Sequence, residues 1–508
     1  MNFPIEQLPF ELLENQIFLY LDGHSIYNLS RINREMMNRL FPCRLLLELG
    51  IPLCNHYPIL IFPYYKLKNV LYELESDDPV LDSNEIIKYQ KLKEIKWKFP
   101  MIHIPINLYT KIHPYLPSSA QLEVLVHQDV SMEFQNATKR TITGMSFSDD
   151  YPVIHVKNFD MLSCLEGCTL STIEFNFQLS QKLIRNLPQY LINLSKLYLP
   201  DCMIQDDGLI LMLDSILNLR ILDLQNNGLT NQSIIKLAAK LPQSKLVDLD
   251  LSLNYIGKRG LHALANALPN TDIEELDVDE NALEKDLVHF FVNIKKTKLK
   301  VFLYGDPINR GSQWKFIRSL PYTKLEKVYL QIDTQMIHPF MSAAMQSHLV
   351  DFSFSNPIRD EGISHLVNYI NDVNFKVLDL DDCLITDDGL HLLFRNIGKS
   401  KLRELDISGN QITKRGLQYV IDYVPQTNIR KLYIGNTFKN KNVLDLDTCI
   451  WFVKRVSIPY LVICNLEREQ DFSNPGMIIE FDDDSDNDAV TDDENEEWLD
   501  IDSDIVDD

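Results

Sequence analysis

Glycine is scarce in this chain, 17 residues in 508, well under the usual share of about 7%. No glycine-rich phosphate loop is present, and neither His-Glu-x-x-His nor Gly-x-Ser-x-Gly occurs. Nucleotide hydrolysis through a phosphate-binding loop, zinc proteolysis and serine hydrolysis therefore have no local signature. The 12 histidines do not fall at metal-ligand spacing. The eight cysteines are Cys43, Cys54, Cys164, Cys168, Cys202, Cys383, Cys449 and Cys464, and they form no CxxC pair. Cys164 and Cys168 have no second ligand pair beside them, so zinc is not expected. Free thiols in a reducing compartment are. No catalytic residue, metal or cofactor is expected. No apolar run approaches the roughly 18 residues that cross a bilayer. The opening Met-Asn-Phe-Pro-Ile-Glu has no basic start. A cytoplasmic or nuclear protein with no membrane contact is the expectation.

Positive charge is also in short supply. Lys and Arg number 49 against 72 Asp and Glu, for a net charge of −23. The excess sits at one end, where Glu480–Asp508 holds 16 acids and no base. Taking −16 from −23 leaves −7 on the rest. Such a chain is a poor ligand for nucleic acid, which needs clustered Lys and Arg.

What is present is a repeat. Leu-x-x-Leu-x-Leu, then Asn or Cys three residues on, is clearest at Leu219-Arg-Ile-Leu222-Asp-Leu224-Gln-Asn-Asn227. First positions fall at 194, 219, 246, 273, 299, 325, 349, 375, 402 and 429, with steps of 24 to 27 residues. Weaker copies are expected upstream at Leu170, Ile142, Leu122 and Leu92. A period of this length marks a stacked array. Leu222 and Leu224 alternate, as two inward side chains of a short strand do. Asn227 or a small buried Cys closes the turn that follows. Leu261, Leu264, Ala265 and Leu268 share one helical face, and Pro269 ends that helix. The expected fold is α/β: a solenoid with parallel strands on a concave face and helices on a convex face.

Cys202-Met-Ile-Gln-Asp-Asp-Gly-Leu209 and Cys383-Leu-Ile-Thr-Asp-Asp-Gly-Leu390 resemble the cysteine-containing leucine-rich repeats of F-box proteins. Asn254-Tyr-Ile-Gly-Lys-Arg-Gly-Leu261 resembles the ribonuclease-inhibitor type. The copies at 299, 325 and 349 depart from both, with Pro307 and Pro357 in the Asn place. A local irregularity is expected there.

Residues 1–45 read as an all-helical module, with Leu13, Ile17 and Leu21 at helical spacing and Asp22-Gly23 as a break. Leu8-Pro9, Glu11-Leu12, Ile17, Leu21, Leu29-Ser30 and Ile32-Asn33-Arg34 make it resemble an F-box, although Met36-Met37 departs from that pattern. The resemblance implies docking on the adaptor subunit of a cullin-RING ubiquitin ligase through Leu8, Pro9, Leu12, Ile17 and Ile26. The alternative is a helical cap on the first repeat. The remaining expected divisions are a linker or cap at 46–91, degenerate repeats at 92–193, leucine-rich repeats at 194–440, a C-terminal cap at 441–476 and an acidic disordered tail at 477–508. The tail reads as a solubiliser, a lure for basic partners or a regulatory element, with Ser485 and Thr491 resembling acidophilic-kinase sites.

On the concave face the central column should hold Tyr198, Asp223, Asp250, Asp277, Leu303, Tyr329, Ser353, Asp379, Asp406 and Tyr433, flanked by Asp248, Glu275, Asp279, Asp381 and Glu404. Two readings stand side by side. Asp is common in this place, or the ladder takes up a partner bearing Lys or Arg, with Tyr198, Tyr329 and Tyr433 as anchors. The expected function is a non-catalytic substrate receptor of an SCF-type ubiquitin ligase, with the adaptor, the cullin and an unnamed protein target as partners. A protein resembling the Ran GTPase-activating proteins and an acidic nuclear chaperone or scaffold are the alternatives.

Overall fold

The computed structural model describes residues 102–105, 122–126, 142–147, 170–282, 287–435, 444–464 and 477–482. The F-box-like module with Leu8, Pro9, Leu12, Ile17 and Ile26, the 46–91 segment, and Ser485 and Thr491 lie outside them. The chain divides into two compact units, Met1–Val301 and Phe302–Asp508.

In the first unit the strands are β1 (Ile102–Pro105), β2 (Leu122–Val126), β3 (Ile142–Phe147), β4 (Thr172–Phe175), β5 (Lys196–Tyr198), β6 (Ile221–Asp223), β7 (Asp248–Asp250) and β8 (Glu275–Asp277). Each pairs in parallel with the next in chain order. Parallel neighbours need a crossover, and helices supply it: α1 (Gln181–Asn186), α2 (Gln205–Met212), α3 (Asn231–Lys240), α4 (Lys258–Ala267) and, after β8, α5 (Val288–Asn293). The second unit repeats the scheme with β9 (Val301–Tyr304, shared at its first residue), β10 (Lys327–Leu330), β11 (Asp351–Phe354), β12 (Val377–Asp379), β13 (Glu404–Asp406), β14 (Lys431–Gly435), β15 (Tyr460–Cys464) and β16 (Ile478–Asp482). Its helices are α6 (Arg310–Ser319), α7 (Ile337–Ala344), α8 (Arg359–Leu366), α9 (Asp387–Asn396), α10 (Lys414–Tyr423) and α11 (Leu446–Val453). This is the leucine-rich-repeat solenoid fold that the period predicts.

The core is built by the alternation. Leu222 and Leu224, Leu249 and Leu251, Leu276 and Val278 are buried from the strand side. Leu261, Leu264, Ala265 and Leu268 are buried from the helix side. One strand and one helix could not cover both apolar faces, so the stack is the smallest stable form.

The Thr-Asp-Asp-Gly-Leu run of α9 can be read residue by residue. Thr386 caps the helix by accepting from the Asp388 N–H at 3.3 Å. It also donates its own N–H and hydroxyl to Asp360 of the repeat before, at 2.9 and 2.5 Å. Asp387 does for Thr413 what Asp360 does for Thr386, at 2.8 and 2.6 Å. Gly389 is glycine because the Asp360 carboxylate occupies the space a Cβ would take. Asp206 with Thr230, and Asn231 with the Gly257 and Gly260 N–H groups, repeat the device in the first unit.

The structure departs from the sequence reading in two places. Upstream, β3 and β4 start where Ile142 and Leu170 predict, but a bulge between Leu122 and Glu123 shifts β2 by one residue, so that Val124, not Leu125, aligns with Met145. The strand paired with β2 is Ile102–Pro105, and Leu92 lies outside the described residues. Downstream, the array continues past 440. The segment expected as a cap holds α11 and β15, and β16 takes residues 478–482 of the stretch expected as disordered tail. At the copies where an irregularity is expected, Phe302, Phe352 and Phe354 take inward strand places, Val328 and Leu330 hold those of β10, and Phe340 packs on Phe352 with 4.5 Å between centroids. These bulkier rings fill repeats that are one to three residues shorter.

Candidate functional site: the open face of the strands

The predicted column exists in each unit. In the first, Glu174, Tyr198, Asp223, Asp250 and Asp277 are register partners across β4–β8. In the second, Tyr329, Ser353, Asp379, Asp406 and Tyr433 are partners across β10–β14. Neighbouring members stand about 4.8 Å apart, the strand spacing.

Much of the aspartate pattern is set by the turn. Asp223 accepts from the Gln225 N–H at 2.9 Å, Asp250 from Ser252 at 2.8 Å and Asp277 from Asp279 at 2.9 Å. Asp379 accepts from Asp381 at 2.9 Å and Asp406 from Ser408 at 2.7 Å. A short carboxylate two residues before an N–H turns the chain out of the strand. Where that N–H is missing, so is the aspartate: two residues after Tyr198 stands Pro200. Where the strand runs longer, as in β9, β10 and β11, the column carries Leu303, Tyr329 and Ser353.

The turn uses one oxygen and leaves the charge. Burial first, and then the Asp250, Asp248 and Glu174 charges, push Asp223 up to about 6. Burial and the Glu275 and Asp250 charges push Asp248 up to about 6. Asp277 rises to about 7 by burial, with Asp250, Asp279 and Asp223 adding to it. In the second unit burial and the Asp382 and Asp379 charges push Asp381 up to about 7. Asp379 and Asp406, buried and side by side, are both raised. The Ser408 hydroxyl donates to Asp381 at 3.0 Å and to Asp406 at 2.5 Å.

The two faces differ in compensation. In the second unit Lys327 lies 3.8 Å from Asp351 and Lys431 lies 3.5 Å from Glu404. In the first, across β4–β8 and the turns that follow, Glu174, Asp223, Asp248, Asp250, Glu275, Asp277 and Asp279 meet Lys196 among the described outward positions.

The tyrosines are less available than the sequence suggests. The Tyr433 hydroxyl donates to Glu404 at 2.9 Å, and the Lys431 ammonium sits over the Tyr433 ring at 4.5 Å and the Tyr460 ring at 5.2 Å. The Tyr329 ring covers Gly305, filling the place of a Cβ. Tyr198 is half-buried beside Asp223 and Glu174.

Sequence reasoning found the Asn ladder and its Cys substitutes but missed the substitutes in the irregular repeats. Asn254 donates to the Leu224, Leu251 and Ser252 carbonyls at 2.9, 3.1 and 2.8 Å, and Asn281 and Asn410 do the equivalent. Cys202 keeps the donor role toward the Phe175 carbonyl at 3.1 Å. In the irregular repeats the amide has moved rather than vanished. Asn356 accepts from Ile332 at 2.9 Å and Gln331 from Ile308 at 3.1 Å. Counting from the leucines points to Pro357, one residue past Asn356. A second ladder went unread: Ser244, Thr271, Thr297, Thr323, Ser347, Ser400 and Thr427 each return a hydroxyl to the carbonyl three residues before. Its near-regular spacing was visible in the sequence.

Among the described residues no His, Cys, Asp and Glu group could hold a metal ion, and no helix is long and apolar enough to cross a membrane.

The family described as Leucine Rich repeat matches at residues 216–238, 243–265 and 398–420. No curated protein matches. Among solved structures the chain is similar to one from the yeast Rad7 and Elc1 complex, at 13% identity over 82% of this chain and 90% of that one, TM-score 0.36. It is also similar to one from the mouse RP105/MD-1 complex, at 10% identity over 76% of this chain and 62% of that one, TM-score 0.26.

Proposed function

We propose that this chain is a non-catalytic substrate receptor of a cullin-RING ubiquitin ligase. Its N-terminal module docks the adaptor, and the open face of its first repeat unit holds a protein target through Lys or Arg. The observation that carries the target half is the excess of acidic over basic outward positions across β4–β8, where Asp223, Asp248, Asp250, Glu275 and Asp277 share a face with Lys196. Burial first, and neighbouring acids after it, raise Asp223, Asp248 and Asp277, and a partner's cations would favour their charged forms. The adaptor half rests on the Leu8-Pro9-Phe-Glu-Leu12 start and its resemblance to an F-box.

The chain then works by proximity. Holding a target near a ubiquitin-charged enzyme turns an encounter between separate molecules into one within an assembly and raises the effective concentration. The chain makes and breaks no bond.

The deciding experiment is capture of a purified ligase adaptor by the full chain, by a chain lacking residues 1–45, and by the Leu8→Ala/Pro9→Ala variant. Capture by the full chain alone, with the repeat units of all three melting alike, is the expected result. Equal capture by all three overturns the adaptor role and leaves residues 1–45 as a cap.

A further inference from the structure

Three exposed apolar side chains gather at the rim of the first unit, where the chain leaves β5 and β7. Tyr255 is 69% exposed, Met203 46% and Leu253 36%. Leu253 is the least expected. Its φ is +54°, and the same place in neighbouring turns is held by Asp201, Asn226 and Glu280, also at positive φ. That conformation favours Asn, Asp and Gly. Leucine there keeps 36% of its surface in solvent.

The turns are stacked in register. Asp201 donates its N–H to the Gln225 carbonyl at 3.1 Å, Asn226 to Ser252 at 3.1 Å and Leu253 to Asp279 at 3.0 Å. Tyr255 bridges Thr230 in parallel and donates its N–H back to the Leu229 carbonyl at 2.8 Å. Met203 and Tyr255 hold equivalent places in the turns of alternate repeats. Between them stands Gly228, whose added Cβ would meet only the Gln205 Cγ, at 3.9 Å. The repeat between the two apolar side chains therefore carries no side chain at the equivalent place.

The surroundings choose the occupant. Asp201, Asp206 and Asp207 lie on the Met203 side, and Asp250, Asp277, Asp279 and Glu280 on the Leu253 and Tyr255 side, against Lys258 and Arg259 at the start of α4. A second copy of this chain would bring acids to acids. A segment with Lys or Arg around one apolar residue would satisfy both features.

We propose that Met203, Leu253 and Tyr255 form a docking notch for a single apolar side chain of a protein segment flanked by Lys or Arg. The proposal rests on the reading of the acidic face given above and adds what a charge ladder alone lacks, a means of telling one basic segment from another.

The test measures binding of short labelled peptides to the full chain by fluorescence anisotropy. One peptide is Lys and Gly around a central Leu, and the other has Ser in place of that Leu. The Leu peptide is expected to bind about tenfold more tightly, the size of a modest buried apolar contact. Tyr255→Ser and Met203→Ser should each erase that preference, leave binding of the Ser peptide unchanged, and leave the melting temperature unchanged. Equal binding of the two peptides to the wild type, or a loss shared equally by both peptides in the variants, overturns the notch. So does self-association of the wild type that Tyr255→Ser abolishes, which would assign the rim to a second copy. The acidic face is read separately. Asp223→Asn, Asp250→Asn and Asp277→Asn together should weaken both peptides alike and keep the Leu preference. Unchanged binding of both would count against the acidic face and not against the notch.

Discussion

Asn254 holds the backbone N–H of Asn227 on its Oδ1 at 3.0 Å. The same oxygen takes the Leu229 N–H at 2.9 Å, so one buried amide closes the turn of the repeat before it. Asn254→Ala would strand both donors, while the Leu251 carbonyl keeps the Asn281 amide. At about 1–3 kcal/mol for each buried group left without a partner, a destabilisation of about 2–5 kcal/mol is expected from denaturant unfolding. A loss below about 1 kcal/mol would mean that the turn finds other partners.

Leu249 is fully buried in β7. Leu249→Ala should cost about 2–5 kcal/mol, the usual range when a core leucine is truncated. Circular dichroism melts of the two proteins check this, and unchanged melting would break the link between alternation and burial.

The acidic face makes stability depend on pH in a definite direction. Asp223 and Asp248 titrate near 6 and Asp277 near 7 in the folded chain, against about 3.9 when unfolded. Between those values the folded chain binds more protons than the unfolded one, so the contribution of these groups to stability falls as pH rises from about 4 to 7. Changing Asp223, Asp250 and Asp277 together to Asn keeps an Oδ1 for each turn N–H and removes the charge. The variant should melt close to the wild type at pH 5 and several degrees above it at pH 8. A gap that does not widen with pH would show that the carboxylates do not oppose one another.

The thiols should be inert. Burial holds Cys202 and Cys449 up to about 12, and Cys383 is raised as well, largely by burial. Reactive cysteines depend on the thiolate. Peptide mapping after mild alkylation at pH 8 should find these three unmodified in the native chain and modified after denaturation. Native labelling of Cys202 would contradict its burial.

Most of the fold was legible because leucine-rich repeats write one contact into each period. Leu222, Leu224 and Asn227 sit where counting placed them. Counting failed at Leu122, where a bulge slips the register by one residue, and in the repeats that start at 325 and 349, where the amide sits at Gln331 and Asn356 rather than at the counted Asp333 and Pro357. Spacing along the chain cannot show a change in turn length that a neighbouring side chain absorbs. The column Asp223, Asp250 and Asp277 was also legible, but not its double use. That an oxygen of each is engaged by a turn appears only from the Gln225, Ser252 and Asp279 N–H groups. Tyr433 was readable as outward-facing, yet its engagement by Lys431 and Glu404 depends on two strands meeting. The rim residues Met203, Leu253 and Tyr255 escaped notice because each is unremarkable in sequence and only their exposure sets them apart.

The clasps between repeats point both ways. Asn254 reaches back to the turn before it, and Asp387 reaches forward to the helix after it. A copied repeat therefore carries one half of each clasp at its two borders and meets the complementary half wherever it is inserted in phase. Such a chain can lengthen or shorten through duplication and recombination by whole periods. An insertion of half a period would separate the halves and leave donors stranded on both sides of the junction.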